Sequence, residues 1–317
     1  MAMSQTPTSV AVAAIIGAPN AGKSTLVNAL VGQKVAIVTH KVQTTRTPLR
    51  GIAIRGDVQI ILIDTPGVFS PRRRLDKAMV QAAWMSVDHA DAVVHVVDAP
   101  AHARSLDGGR DGADLRTRDD VDRIIAALKD RQIAAFLCLN KVDAMARSAL
   151  LAVVQDLKDK APYTDVFMIS AETGDGVADL GAALAARAKP GPWLYPRDQA
   201  ADAPSRQLAA EITREKLMLR LHDEIPYEAM VETESWQERK DGSVRIEQTI
   251  FVAREGQRRI AIGEKGATIK IISTMAREDL ETTFERRVHL FVTVKVREGW
   301  ADERARYRDL GLDYDAP

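Results

Sequence analysis

The feature that most limits what this chain can fold into is Gly17-Ala-Pro-Asn-Ala-Gly-Lys-Ser24, a G-x-x-x-x-G-K-S octapeptide between an apolar run, Val10 to Ile16, and a helical pattern from Lys23 to Val31. Strand, glycine loop and helix in that order make a phosphate-binding loop. Gly17 and Gly22 let backbone N–H groups around Ala21 close on a phosphate, and the helix N-terminus adds partial positive charge. Lys23 can reach the β- and γ-phosphates of a nucleotide, and the Ser24 hydroxyl can ligate Mg²⁺, with Thr25 beside it among the nucleotide-binding residues.

Apolar runs alternate with helical stretches along residues 10 to 188: Val10–Ile16, Gly51–Arg55, Val58–Ile63, Ala92–Val97, Ala134–Leu139 and Asp165–Ile169. Near-continuous Val/Ile/Leu runs suit strands buried on both faces, so the alternation predicts a doubly wound α/β sheet. Gly56-Asp57 between the second and third runs predicts a hairpin and one antiparallel edge, which makes the sheet mixed. Such sheets bind ligands at the carboxyl ends of their strands, and the polar motifs fall there.

Thr39 to Arg46 leads into the second strand, and its adjacent Thr44 and Thr45 offer a second Mg²⁺ ligand. The third strand ends in Asp64-Thr-Pro-Gly67, where the Asp64 carboxylate can hold Mg²⁺ through water and the Gly67 N–H can bond a γ-phosphate. The fifth ends in Asn140-Lys141-Val-Asp143. The Asp143 carboxylate can accept from N1–H and the 2-amino group of guanine, donors that adenine lacks, which predicts GTP over ATP. The sixth ends in Ser170-Ala171-Glu172, with the Ala171 N–H expected on guanine O6. Each motif is weak alone; together, in order and at the right strand ends, they define one nucleotide site.

Two stretches of this half receive no function. Pro71-Arg-Arg-Arg74 reads as a solvated basic turn opening a helix to about Met85. Ala99 to Asp120, with Asp107-Gly-Gly-Arg-Asp-Gly112, reads as a flexible surface loop.

The 317 residues exceed what one core usually serves, so two domains are expected. Balanced charge, 44 Lys+Arg against 44 Asp+Glu, means that any nucleic-acid surface is local. The single cysteine, Cys138, excludes an intrachain disulfide and sits in an apolar run that reads as core. The six histidines lack metal-ligand spacing, and His95, inside an apolar run, reads as a satisfied structural residue. Met1 to Ser9 carries no basic residue and reads as a frayed tail. No stretch approaches the ~18–20 apolar residues of a membrane span, so a cytoplasmic protein with at most peripheral membrane contact is expected.

Lys189-Pro-Gly-Pro192 and the Pro-containing segment to Pro204 read as a connector, 189–205, that leaves the domains adjustable. From Arg206 the pattern becomes α-β-β-α-α-β: a helix to about Glu224 with Leu208, Ile212 and Leu219 on one face, two alternating strands around Asp241-Gly242, and a last strand from Val288 to Val296. Between the last two strands lies Ile260-Ala-Ile-Gly-Glu-Lys-Gly266, then a helix with Ile269, Ile272, Ala276 and Leu280 on one face. A G-x-x-G turn between a short and a long helix is the KH-domain clamp. Gly263 and Gly266 let the backbone approach RNA phosphates, Ile262 lines a groove for about four nucleotides, and Arg254, Arg258, Arg259, Lys265 and Lys270 supply charge. Glu264 within the turn departs from what a phosphate clamp prefers.

The nucleotide motifs resemble the translation-factor-related GTPases. Val68 follows the D-x-x-G glycine where signalling GTPases carry a water-orienting glutamine, so the chain resembles the hydrophobic-substituted group. In relatives with asparagine at the place of Asn20, that residue holds K⁺. On this analogy Asn20, Thr39, the Lys41 carbonyl and Thr44 surround K⁺, leaving Thr45 as the Mg²⁺ ligand. Lys23, Asn20, Thr45 and Gly67 are then the residues expected to act in hydrolysis. Asn20 as a plain turn former stays open.

Gln43-Thr-Thr-Arg46, Glu211-Ile-Thr-Arg-Glu-Lys216, Glu224-Ile-Pro-Tyr227, Ile262–Gly266 and Val294-Lys-Val-Arg-Glu-Gly-Trp-Ala301 together resemble the Era GTPases, over about residues 10 to 308. The resemblance implies an α/β P-loop GTPase with a doubly wound mixed sheet (10–188) followed by an α+β type II KH domain (206–317). It implies binding of GTP or GDP with Mg²⁺, contact with the 3′ region of 16S rRNA and the 30S ribosomal subunit, help in 30S assembly, a peripheral inner-membrane fraction, and a monomer. An RNA-binding assembly chaperone with a slow or structural nucleotide domain is the alternative, which a Lys23→Ala variant competent in ribosome maturation would favour. A GTPase serving tRNA modification shares the Asn20 and Thr-Thr features but does not predict the KH half.

Overall fold

The computed structural model describes residues 8–41, 44–106, 112–221, 225 and 228–316. Gln43 of the switch motif, Asp107 to Asp111 of the expected loop, and Glu224, Pro226 and Tyr227 of the family motif lie outside the described residues, as does the expected tail up to residue 7. The chain forms two compact units, one from Met1–Ala36, Thr45–Asp202 and Gly311–Pro317, the other from Ile37–Thr44 and Ala203–Leu310.

In the first unit, β1 (Ser9–Gly17), β2 (Leu49–Arg55), β3 (Val58–Asp64), β4 (Ala92–Asp98), β5 (Ala135–Asn140) and β6 (Tyr163–Met168) lie in the order β2-β3-β1-β4-β5-β6. Only β2 in this row runs antiparallel, paired to β3 across the Gly56-Asp57 turn, so the expected mixed sheet is present. Side chains alternate between faces. Ala13 and Ile15 pack with Leu26 of α1 (Lys23–Val31) and Leu180 of α6 (Val177–Ala185), whereas Ala14 and Ile16 pack with Val87 of α2 (Arg74–Asp88) and with Ile124 and Leu128. Each fully buried Leu or Ile among them contributes about 1.5–3 kcal/mol relative to exposure.

The expected loop at 99–120 is instead helical: α3 (Ala99–Leu106) and α4 (Gly112–Asp130) flank the residues outside the description. The Asp98 carboxylate caps α3 by accepting from Ala101 N–H at 3.0 Å, and Pro100 sits in the first turn, where its missing donor costs nothing. A bidentate Arg104–Asp114 pair at 2.8 and 2.9 Å joins the helices, while Val121 and Leu150 of α5 (Arg147–Leu157) close the core around them. His95 is buried as expected. Its Nδ1 meets the Tyr163 hydroxyl at 2.7 Å, its Nε2 has no partner, and burial pushes it down to about 3, which keeps it neutral. Cys138 is core.

Residues 189–202 run along this sheet. A two-residue strand, β7 (Lys189–Pro190), pairs antiparallel with the start of β1. Buried Gln59 accepts from Leu194 and Tyr195 N–H at 2.9 and 3.1 Å and donates to the Tyr195 carbonyl at 2.9 Å. Ile52 N–H donates to Ala200 and Asp202 N–H to Arg50. Within the expected tail, Thr8 Oγ1 donates to the Gly191 carbonyl and Ser9 already belongs to β1.

In the second unit, α7 (Ser205–Arg220), β8 (Met230–Glu238), β9 (Val244–Val252), α8 (Glu255–Ile262), α9 (Ala267–Phe284), β10 (Val288–Val296) and a short α10 (Arg304–Asp309) follow one another. The sheet order is β10-β9-β8, with β10 parallel and β8 antiparallel to β9. Ile272, Ala276 and Leu280 of α9 are fully buried, as their spacing predicts. Leu219 is not: it is 42 % exposed, and Ala209, Ile212, Thr213 and Leu217 form the inward side of α7.

Candidate functional site

The phosphate loop owes its shape to close neighbours. Asn20 (φ 62°) and Gly22 (φ 91°) take left-handed conformations, and a Cβ on Gly22 would stand 2.2 Å from Asn140 Nδ2. The Lys23 ammonium, 6 % exposed, donates to the carbonyls of Gly17 and Ala18 at 3.1 and 2.9 Å. Burial, against the opposing pull of Asp64 and Asp120, pushes it down to about 8. It is a desolvated cation in a cradle of amides.

Ser24, Thr45 and Asp64, the three residues read as Mg²⁺ ligands, come together. Ser24 Oγ donates to Asp64 Oδ2 at 2.6 Å and lies 2.9 Å from Thr45 Oγ1, which is itself 3.3 Å from Asp64 Oδ2. Asp64 Oδ1 is buried with no hydrogen-bond partner, and burial raises the carboxyl above its ordinary range despite Ser24 and Lys23. Two hydroxyls beside a carboxylate whose second oxygen lacks a donor fit a hard divalent cation such as Mg²⁺. Gly67 lies against Pro19, whose Cα is 3.0 Å from where a Cβ would sit. Val68 is 1 % exposed in the core, and its N–H donates to the Gly17 carbonyl at 3.1 Å. That side chain cannot orient water.

The base-reading motifs are fastened to the phosphate loop. Asn140 Nδ2 donates to the Ala21 carbonyl at 2.9 Å, and Asn140 Oδ1 accepts from Ala171 N–H at 2.9 Å. The Ala171 N–H, expected on guanine O6, is therefore directed at Asn140. Lys141 (φ 66°) donates to the Asn20 carbonyl at 2.8 Å and to Asp98 at 2.5 Å. Asp143 is exposed on a single 3₁₀ turn, Val142–Ala144, while the Ser170 hydroxyl accepts from Thr173 N–H and steadies its loop. Thr25 lies in the first turn of α1.

The residues expected around K⁺ fall in different units. Asn20 belongs to the first. In the second, Thr39 Oγ1 and Thr44 Oγ1 are 2.7 Å apart, and Thr44 Oγ1 donates to the Lys41 carbonyl at 2.8 Å, so these three oxygens do gather.

In the second unit, Gly263 (φ 76°, ψ 173°) ends α8 and Gly266 (φ 80°) opens α9, with Lys265 also at positive φ (50°). Arg259, Glu264, Lys265 and Lys270 are exposed and Ile262 is half-buried. Arg258 is engaged instead, donating to the Val294 carbonyl at 3.2 Å and to Glu255 at 2.8 Å. Sequence reasoning passed over Gln59 and the buried charges of α7, because neither a glutamine in a strand nor a charge run in a helix signals a long-range contact.

A family model described as a 50S ribosome-binding GTPase matches residues 12–141, and one described as a KH domain matches residues 224–301. GTPase Era of Caulobacter vibrioides is 59 % identical over 303 residues, 96 % of each chain, and that of Maricaulis maris is 54 % identical over 99 % of this chain and all of its own. Two solved structures superpose with a TM-score of 0.83 at 32 % identity, covering 96 % of this chain and 99 % of theirs. One is Era with MgGDPNP and nucleotides 1506–1542 of 16S ribosomal RNA, the other a single-residue variant of Aquifex aeolicus Era bound to GDP and AlF₄⁻. With the nucleotide motifs in place, the chain is a GTPase. It belongs to the Era family of GTPases.

Proposed function

We propose that this GTPase binds the 3′ region of 16S ribosomal RNA through its KH unit and assists assembly of the 30S subunit, with the bound nucleotide setting domain arrangement and RNA affinity. The carrying observation is the convergence of Ser24, Thr45 and Asp64 beside buried Lys23, in a chain that also exposes Lys265 within the turn Gly263–Gly266 and Arg259 and Lys270 on either side of it. The relative solved with MgGDPNP and nucleotides 1506–1542 supports the same pairing of ligands. The loop amides and Lys23 stabilise negative charge that develops on the phosphates during hydrolysis, and their fixed placement spares reorganisation. Asp143 reads guanine, and Asn140 and Lys141 hold that reading head against the phosphate loop. Ser24, Thr45 and Asp64 would hold Mg²⁺, which would supply Lewis-acid stabilisation of the charge that develops in hydrolysis.

Val68 leaves the attacking water without a side-chain partner at that position. The gathered oxygens of Thr39, Lys41 and Thr44 favour a second reading, in which they and Asn20 hold K⁺. Equal hydrolysis rates in KCl and NaCl would remove it. The monomeric state and a peripheral membrane fraction belong to the same proposal; no helix among the described residues is long and apolar enough to cross a membrane.

The direct test is crosslinking with sequencing of bound RNA, with GDP and with a non-hydrolysable GTP analogue. Recovery of the 16S 3′ region is the expected outcome, and equal RNA affinity in the two states would break the coupling.

A further inference from the structure

Helix α7 buries charges that a solvated helix leaves in water. Arg214 is 2 % exposed and Glu215 3 %, and Arg214 heads the fully buried side chains by volume. A buried guanidinium is costly unless each donor finds an acceptor, and an ion pair confined to its own helix gains nothing from burial. Arg214 Nε and Nη2 pair with Glu211 at 2.8 and 2.5 Å, and Nη1 reaches Met218 Sδ at 3.3 Å. Nη2 has one further acceptor, the main-chain carbonyl of Thr44. Glu215 divides similarly: Oε2 accepts from Lys216 at 2.8 Å, while Oε1 accepts from Val38 N–H at 2.8 Å. Lys41 donates its ammonium to the Leu221 carbonyl just past the helix.

The segment Ile37–Thr44 thus belongs to the second unit by contacts at both of its ends and its middle. Its flanks belong to the first. Val35 and Ala36 N–H donate to Asn28 Oδ1, each at 2.8 Å, and Thr45, one peptide bond beyond Thr44, meets Ser24 and Asp64. The contacts at Val38 and Thr44 are to main-chain atoms, so they fix the path of the segment whatever its side chains do.

We propose that Arg214 and Glu215 are positioning residues for GTP hydrolysis: by holding the backbone at Thr44 and Val38 they set where the Thr45 hydroxyl stands, and so make the metal-binding threonine answer to the RNA-binding unit. The inference rests on the reading of Thr45 as a Mg²⁺ ligand. Neither residue needs to touch nucleotide. A shift of about 1 Å in Thr45 suffices to slow the chemical step.

The test uses the full chain and four variants, Arg214→Lys, Glu215→Ala, Glu215→Gln and Thr45→Ala. It measures kcat, GDP affinity, the Mg²⁺ midpoint of hydrolysis, and hydrogen exchange at the Val38 and Thr45 amides. Glu215→Ala is expected to lower kcat about ten-fold with GDP affinity unchanged, to raise the Mg²⁺ midpoint, and to speed exchange at Val38. Glu215→Gln keeps an acceptor for Val38 N–H and restores all three. Arg214→Lys keeps the buried charge but replaces the planar fork that spans Glu211 and Thr44 with a single ammonium of shorter reach, and it follows Glu215→Ala. Unchanged GDP affinity together with an unchanged thermal unfolding profile of the full chain establishes that both units of a variant are folded, and should Arg214→Lys fail that criterion the Glu215 pair decides. Wild-type kcat and Mg²⁺ midpoint in Glu215→Ala, alongside a Thr45→Ala variant that loses both, overturns the positioning role alone. A Thr45→Ala variant with wild-type values overturns the Thr45 reading and this inference with it.

Discussion

The two glycine-bearing loops of this chain, Gly17–Ser24 and Gly263–Gly266, are built on opposite plans. The first is walled: a Cβ at Gly17 would lie 2.4 Å from the Val96 carbonyl, one at Gly22 would strike Asn140, and the lysine between them and the helix is buried. The second is open on its far side. Nothing stands within 4 Å of where a Cβ on Gly266 would sit, and Lys265 and Lys270 are exposed. A walled loop with preset donors selects one anion of fixed shape, whereas an open one accepts a chain that enters and leaves, with affinity from charges that salt screens.

The largest expected effect breaks the walled loop. Gly22→Ala places a side chain at φ 91° and into Asn140, and GDP affinity in titration calorimetry should fall at least about a hundred-fold, or ~3 kcal/mol, with RNA binding retained. The same swap sharpens the contrast within the open loop. Gly263→Ala occupies a glycine-only backbone region and meets Thr268 Oγ1 at 2.2 Å, so RNA affinity should drop by about one to two orders of magnitude; Gly266→Ala, left-handed but unobstructed, should cost about five-fold.

A pH series separates the loops next. Lys23 titrates near 8 in the folded, ligand-free chain and must be charged to hold phosphate, so GDP affinity should weaken about ten-fold between pH 7 and 9. The sign reverses for stability. Because the folded chain releases this proton earlier than the unfolded one, the Lys23 contribution to ligand-free stability rises from pH about 8 towards 10.5, and thermal unfolding across that window checks it. The smallest effect is electrostatic: Lys265→Gln should reduce the log–log salt slope of RNA binding by about 0.7 and leave that of GDP untouched.

Much of this was legible in the sequence because local rules and the fold agree there. Apolar runs marked six strands of the first sheet, and the motifs at their ends carried the nucleotide site. What escaped was set by partners distant in sequence. Asp107-Gly-Gly made 99–120 look like loop, yet Asp98 caps α3 and Arg104 pairs with Asp114. The Asn140 carboxamide that accepts from Ala171 N–H lies 31 residues away in the chain and gives no local signal of that contact. In α7, nothing in the sequence around Arg214 and Glu215 points to the Thr44 carbonyl and the Val38 N–H, which residues 37–44 bring to them.

The loan of segments between the units runs both ways. Gly311–Pro317 belongs with the nucleotide-binding unit, where the Arg74 guanidinium lies 4.3 Å over the Tyr314 ring at the start of α2. A fragment ending at Asp202 would therefore keep every nucleotide motif and still be a different enzyme: Val38 and Thr44 would lose their anchors, and Arg74 its aromatic platform. Turnover measured on such a fragment would describe the cut, and dissection of this family by domain deletion carries that bias wherever the same exchange occurs.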